Sequence, residues 1–319
     1  MLMPESSTKK HRRLSRRQFL GIAAGVGVVA VTGSAVLSRT QLMWQIGEFT
    51  ALASLGASIQ QANDATFDGA EARVNYGNDP QQYALVFTPP ANVPRKASTV
   101  FFLHGGGWSM GNPSMYRFVG RFFAQIGYPT ILGGYRLTPA FVFPSQMEDT
   151  MAGLRAGMNH LAKFDAPAKQ IVLGGHSAGA QLASLMAYDV SILQTERPLF
   201  AGLFAMSGPL DFAYCQSGDI RRMLDAYIGH LPVPDAANPI THADPDMPIS
   251  VFCMHGAHDP TVNLQNSTSF VNRLNQGSTQ RAMLHIAQGV HHSDMLNLFL
   301  QTNAQTNVLK AWLAGIDEI

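Results

Sequence analysis

Charge and cysteine are scarce in this chain. Only 13% of its 319 residues are charged, about half the share of roughly 25% usual in soluble proteins. Lysine and arginine number 22 against 21 aspartates and glutamates, so no basic surplus is available to neutralise a phosphate backbone, and nucleic acid is excluded as a partner. The two cysteines, Cys215 and Cys253, cannot build a disulfide framework or a CxxC site. Cys253 lies in the apolar run ISVFCMHG and reads as a small core residue. There is no internal repeat and no low-complexity tract. His255 and His258 have no set of carboxylates spaced around them as metal ligands, so neither a metal nor a cofactor is expected. What the chain does have is an apolar fraction of 46%, enough for the core of one large domain.

The few charges are unevenly placed. Seven of the basic residues precede Thr40, with only Glu5 opposing them, which leaves 15 basic and 20 acidic residues for the rest. A basic head on an acidic body reads as an address rather than as part of the fold. SRRQFLG resembles a twin-arginine export signal, with Arg16 and Arg17 as the pair. The apolar run after it, residues 19–37, is near the minimum for spanning a bilayer. Gly21, Gly25, Gly27, Thr32, Gly33 and Ser34 dilute it. Gly33-Ser34-Ala35 offers small residues for cleavage after Ala35. The resemblance implies that the twin-arginine machinery exports the folded precursor. The product is then periplasmic, or membrane-anchored and facing outward if the run is retained. The expected organisation is a signal or anchor over 1–39, a linker or N-terminal helical segment over 40–70, and a catalytic domain over 71–319.

From Glu71 onward, strand-like and helix-like patterns alternate. EARVNYG and YALVFTPP read as an early hairpin. STVFFLHG, PTILGGYRL, KQIVLGGHS, FAGLFAMSG, ISVFCMHG and RAMLHIAQG read as further strands, several of them apolar on both faces. Helical patterns are expected over 114–126, SQMEDTMAGLRAGMNHLAKF, AGAQLASLMAYDV, LQNSTSFVNRLNQ and the closing SDMLNLFLQTNAQTNVLKAWLAGI. Repeated βα units predict an α/β fold with a mostly parallel central sheet and helices on both faces. The site of such a sheet lies at the carboxyl ends of its strands. Residues 209–247 hold Pro209, Pro232, Pro234, Pro239 and Pro245 with little periodicity, and read as a small cap-like insertion over that edge.

Three motifs carry chemistry. GGHSAGA holds G-x-S-x-G as Gly175-His176-Ser177-Ala178-Gly179, where a buried strand turns into a helix. A turn this tight needs small residues two places either side of the serine, and it lifts the hydroxyl clear of the sheet. FFLHGGGWSMG places glycines at another strand end. No lysine follows for a phosphate loop, so the expected role is an oxyanion hole from the N–H groups of Gly106 and Gly107, with Ala178 as the third donor. His104 reads as a hydrogen-bonded brace of that loop. A nucleophilic serine also needs a base and an orienting carboxylate. Asp259, in CMHGAHDPTV, and His291 or His292, in AQGVHHSDML, both follow strand ends downstream of Ser177. Met110, Met115, Phe141, Phe143, Phe212 and Tyr214 could line an acyl pocket, but each reads more readily as ordinary packing.

Taken together, NYGNDPQQYALVFTPP, HGGGW, YRLTPAFVFPSQMEDT, GHSAGA, NPITHADPDMPISVFCMHGAHDPTV and HHSDML resemble the α/β-hydrolase superfamily. The resemblance is to its HGGG-type esterases and lipases, the hormone-sensitive-lipase-like and kynurenine-formamidase-like carboxylesterases, and it runs from about Val74 to Leu313. It implies Ser177 as nucleophile, Asp259 as triad acid and a histidine base. The HSD triplet, aligned with the histidine motif of the formamidase-like members, selects His292. The expected function is an exported serine hydrolase cleaving small-molecule carboxylic esters through an acyl-enzyme. The alternatives are an amidase or formamidase using the same triad, or a non-catalytic binding protein on the same fold.

Overall fold

AEARVN alternates polar and apolar residues, and it forms a largely exposed edge strand, β1 (Ala70–Asn75), antiparallel to the buried β2 (Tyr83–Thr88). The mostly apolar runs become strands buried on both faces: β3 (Ser98–Leu103), β4 (Thr130–Gly133), β5 (Gln170–His176), β6 (Phe200–Met206) and β7 (Ser250–Gly256). β8 (Ala282–Ala287) closes the far edge, with Met283 and Ile286 exposed. The order is β1-β2-β4-β3-β5-β6-β7-β8, parallel from β4 to β8 and antiparallel only at β1 and β2. This computed structural model describes residues 55–164, 169–192, 195–216, 218–229 and 234–318. The expected export signal over 1–39 and residues 40–54 lie outside them.

The described helices are α1 (55–64), α2 (Arg117–Gln125), α3 (Ser145–Ala162), α4 (Ala178–Tyr188), α5 (Gly218–Ile228), α6 (Pro239–His242), α7 (Gln265–Leu274) and α8 (Ala304–Asp317). Side chains alternate across each strand, and the two faces make two cores. Phe101, Leu103, Leu173, Leu203 and Val251 pack with α3, α4 and α7. Val100, Phe102, Val172, Phe204 and Phe252 pack with α2 and α8. Helices therefore cover both faces, as the βα alternation predicts. Residues 55–70, expected as linker or N-terminal helical segment, belong to the compact unit that begins at Leu55. Phe118 N–H donates to Asn63 Oδ1, and Arg121 Nη1 donates to the carbonyls of Ala62 and Ala65.

Three element boundaries differ from the sequence expectation. The helix expected over 114–126 begins as a 3₁₀ turn, Pro113–Tyr116, capped by Asn112 Oδ1 on Met115 N–H. The strand in PTILGGYRL stops at Gly133, because the backbone N–H and Nε of Arg136 both turn to Asp149 Oδ2, at 2.7 and 2.8 Å. The closing helix is broken. Ser293–Phe299 is a 3₁₀ stretch, and α8 restarts after Asn303, whose side chain and backbone pair reciprocally with Thr306. A capping box of this kind nucleates a new helix.

Parallel registers bring the carboxyl ends into line. Leu103 pairs with Gly175, His176 with Met206, and Met206 with Met254. The loops after β3, β5, β6 and β7 therefore emerge side by side. The insertion between β6 and β7 carries α5 and α6 and folds back over this edge, with Tyr227 of α5 stacked on Trp108 at 4.4 Å.

Candidate active site

The turn between β5 and α4 is strained at one residue. Ser177 adopts φ 55° and ψ −121°, a conformation that costs a non-glycine residue about 1–3 kcal/mol. Backbone bonds hold it there. Its N–H donates to Met206 O at 2.8 Å, and its carbonyl accepts from Ala180 N and Gln181 N. The flanking glycines are steric necessities. A Cβ on Gly175 would strike the backbone of Gly179, and one on Gly179 would strike the carbonyls of Leu103 and His104.

The second loop leaves β3 beside this turn. A Cβ on Gly105 would lie 3.2 Å from Ser177 Cβ. Gly106, Gly107 and Trp108 all have positive φ (127°, 56° and 56°), so the loop takes a left-handed path that glycine favours. Among the described residues, no backbone hydrogen bond outside the regular elements takes the N–H of Gly106, Gly107 or Ala178. Trp108 pins the strained loop: it is fully buried, and its Nε1–H donates to Gln181 Oε1 at 3.0 Å. Gln181 Nε2 in turn donates to Ala237 O in the insertion. His104 lies beneath, stacked on Tyr135 at 4.2 Å with Nδ1 2.9 Å from Gly105 O.

On the loop after β7, Asp259 turns its carboxylate inward. Oδ1 accepts the N–H groups of Thr261 and Val262 at 2.9 and 2.8 Å. Oδ2 meets His292 Nδ1 at 2.8 Å and His255 Nε2 at 3.4 Å. The contact belongs to His292. His291 instead faces His258, with ring centroids 6.4 Å apart. The His292 ring lies 4.9 Å from that of His176, the residue before Ser177. A second acidic side chain at a strand end, Asp211, is used otherwise: it caps Ala213 N–H and accepts from Ser269 Oγ. Among the described residues, no group of three or more metal-ligating side chains forms.

Burial sets the charge states below the site. His104 is pushed down to about 4 by burial. His176 is pushed down to about 3 by burial first and then by the charge of His292. Burial alone would raise the Asp259 carboxyl, but His292 and His255 outweigh it and hold it far below the usual carboxylate range. The sign for stability follows. Unfolded, the two histidines titrate near 6.5. Below that pH the unfolded chain takes up protons that the folded chain refuses, so their stabilisation is complete above about pH 6.5 and falls toward the folded values. The Asp259 contribution is present above about pH 4 and is lost below it. Urea unfolding across a pH series should therefore show stability falling from about pH 6.5 to 4, by up to about 1.4 kcal/mol per unit for each histidine. A level profile through that window would contradict their neutral burial.

The apolar residues weighed as pocket lining are scattered, as ordinary packing would have them. Phe212 is buried in the core, Phe141 lies under the Arg136 guanidinium, and Phe143 packs edge-on against Tyr227. Met110, Met115 and Tyr214 are exposed. One side chain against the glycine loop was missed by sequence reasoning. Met223 of α5 sits where a Gly107 Cβ would fall. His255 and Gln181 were missed as well, since each lies in a run that reads as strand or helix core.

The chain is similar to several known proteins. The profile of the BD-FAE family matches residues 86–274. The ethyl acetate hydrolase of Pseudomonas putida is 29% identical over 146 residues, 45% of this chain and 45% of that one. The esterase LipC of Mycobacterium tuberculosis is 25% identical over 244 residues, 70% of this chain and 60% of that one. The chain thus spans less than two thirds of the length of either relative. A solved structure of a hormone-sensitive lipase from a metagenome library superposes with a TM-score of 0.64 at 18% identity, covering 96% of this chain and 99% of that one.

Proposed function

Because the chain belongs to the BD-FAE family, HGGG-type esterases on the α/β-hydrolase fold, we propose that it is an exported serine hydrolase that cleaves small carboxylic esters. One observation carries the reading. Asp259 holds His292 by Nδ1 at 2.8 Å, which leaves Nε2 as the basic nitrogen, beside the strained turn that presents Ser177.

His292 Nε2 takes the hydroxyl proton as Ser177 Oγ attacks the ester carbonyl carbon. The oxyanion forms against the N–H groups of Gly106, Gly107 and Ala178. As the tetrahedral intermediate collapses, His292 donates its proton to the departing alkoxide, and the acyl group stays on Ser177. Water then loses a proton to His292 and attacks the acyl-enzyme, and the collapse returns the proton to Ser177. Each step uses only the chain and water. Asp259 remains ionised throughout and stabilises the imidazolium.

Met223 lies over Gly107 and the exposed Met110 beside Gly106, and these two side chains are the proposed limit on the length of the acyl group. The test is hydrolysis of p-nitrophenyl acetate, butyrate and octanoate by the purified protein. Turnover should fall with chain length, and Met223→Ala should raise the octanoate-to-acetate ratio by about 10-fold, the worth of roughly one or two buried methylenes. No turnover of any ester, with turnover of an N-formyl amide instead, would replace the esterase reading by the formamidase one. Export is the other half of the proposal and rests on Arg16 and Arg17. Fractionation of producing cells separates a periplasmic form from a membrane-held form, and retention in the cytoplasm would refute export.

A further inference from the structure

His176 is the variable residue of the G-x-S-x-G turn, and no step of the proposed reaction uses it. It is 4% exposed, yet both of its ring nitrogens are engaged. Nε2 lies 3.1 Å from the backbone carbonyl of His292. Nδ1 lies 3.4 Å from Tyr116 Oη, and the same Tyr116 oxygen accepts the N–H of Gly105 at 3.1 Å. Three loops thus meet on one imidazole: the glycine loop, the serine turn and the histidine loop.

The direction of each bond can be deduced. Burial keeps the ring neutral, and a neutral imidazole has one donor and one acceptor. A backbone carbonyl only accepts, so Nε2 carries the hydrogen toward His292 O. Nδ1 is then the acceptor, and the Tyr116 hydroxyl is its donor. The tyrosine oxygen is left with its lone pairs for Gly105 N–H. The chain Gly105 N–H to Tyr116, Tyr116 O–H to His176, and His176 Nε2–H to His292 O is satisfied in one sense only.

We propose that His176 is a positioning residue, which fixes the backbone of His292 relative to the glycine loop through this relay; the proposal rests on the reading of His292 as the base. His292 is held twice. Asp259 grips the ring at Nδ1 and His176 grips the carbonyl, so the side-chain torsions between the two have little freedom. Without the second grip the ring still reaches Asp259, but Nε2 can swing away from Ser177. A misplacement of about 1 Å costs roughly 100-fold in rate.

The experiment compares His176→Phe, which fills the space without hydrogen bonds, with His176→Gln, whose Nε2 can still donate to His292 O. Four quantities are read: kcat, KM, the melting temperature, and the downfield proton resonance of the His292 Nδ1–H···Asp259 bond. His176→Phe should lose about 100-fold in kcat with KM within about twofold, and the resonance should broaden. His176→Gln should recover most of kcat and a sharp resonance. Equal loss in both variants, or wild-type kcat and resonance in His176→Phe, would overturn the proposal. If His176→Phe does not fold, Tyr116→Phe carries the test, with a fall in kcat of about fivefold for one hydrogen bond and overturned by no fall. The resonance exists without turnover, so it tests the positioning even if no ester is cleaved. Absence of turnover in the wild type would instead sink the hydrolase reading.

Discussion

Ser177→Ala should lower kcat for ester hydrolysis by about 10⁶-fold, the loss expected when the proposed nucleophile is removed from a serine triad. Residual rate from the oxyanion hole and binding, about 10³–10⁴-fold over water, should survive. The fold should not notice. The Ser177 side chain makes no cap bond to α4, and the bonds that hold the turn are made by its N–H and carbonyl. Alanine keeps the same Cβ at φ 55°, so the strain is unchanged and the melting temperature should stay within a few degrees. Ser177→Gly separates the two effects. It should be equally inactive but more stable by up to about 1–3 kcal/mol, since glycine tolerates that backbone freely. Steady-state assays and urea unfolding on the three proteins check both statements. A Ser177→Ala enzyme within tenfold of the wild type would mean that the hydrolysis is not carried by this serine.

What could be read from the sequence was whatever backbone sterics dictate locally. The crowded glycines around Ser177 announce a close approach, and the structure supplies its other half: Gly179 is packed against the carbonyls of Leu103 and His104. The apolar runs STVFFL and QIVLGG could only be strands covered on both sides, and alternation with helical patterns fixed them as parallel neighbours. The break in the last helix was hidden because Asn303 and Thr306 act as a pair, while MLNLF and VLKAWL share one apolar periodicity across it. The choice of His292 over His291 needed the resemblance, because adjacent residues share a loop and only the turn direction separates them. His255 and His176 were illegible for a different reason. Each stands in a buried strand where a histidine reads as core, and its partners are a carboxylate four residues on and a carbonyl 116 residues away. Met223 is likewise set by tertiary packing: α5 shows only which side chains face inward, not that Gly107 lies beneath them.

Asp259→Asn should lower kcat by about 10⁴-fold, and the structure says why the amide would be worse than a missing charge alone. The two backbone donors, Thr261 N–H and Val262 N–H, both point at Oδ1. In the asparagine variant they select the amide oxygen for that place, which forces the NH₂ into the place of Oδ2. There it would face His292 Nδ1 at about the 2.8 Å now spanned by the carboxylate. An NH₂ group only donates, so it stabilises the tautomer in which Nδ1 is bare and Nε2 carries the hydrogen. That histidine cannot accept the Ser177 proton. Raising the pH does not rescue it, because the fault is the tautomer and not the charge; the loss should persist on the alkaline plateau. KM should change little, since the Asp259 side chain is only 1% exposed. The same NH₂ would also face His255 Nε2, which now lies 3.4 Å from Oδ2, so two donors meet and the variant should be less stable than the wild type as well. Asp259→Ala removes the charge without imposing the tautomer and should retain more activity than Asp259→Asn. Kinetics of the two variants across pH decide the matter. A loss of less than tenfold in Asp259→Asn, or full recovery at high pH, would mean that Asp259 does not set the tautomer of His292.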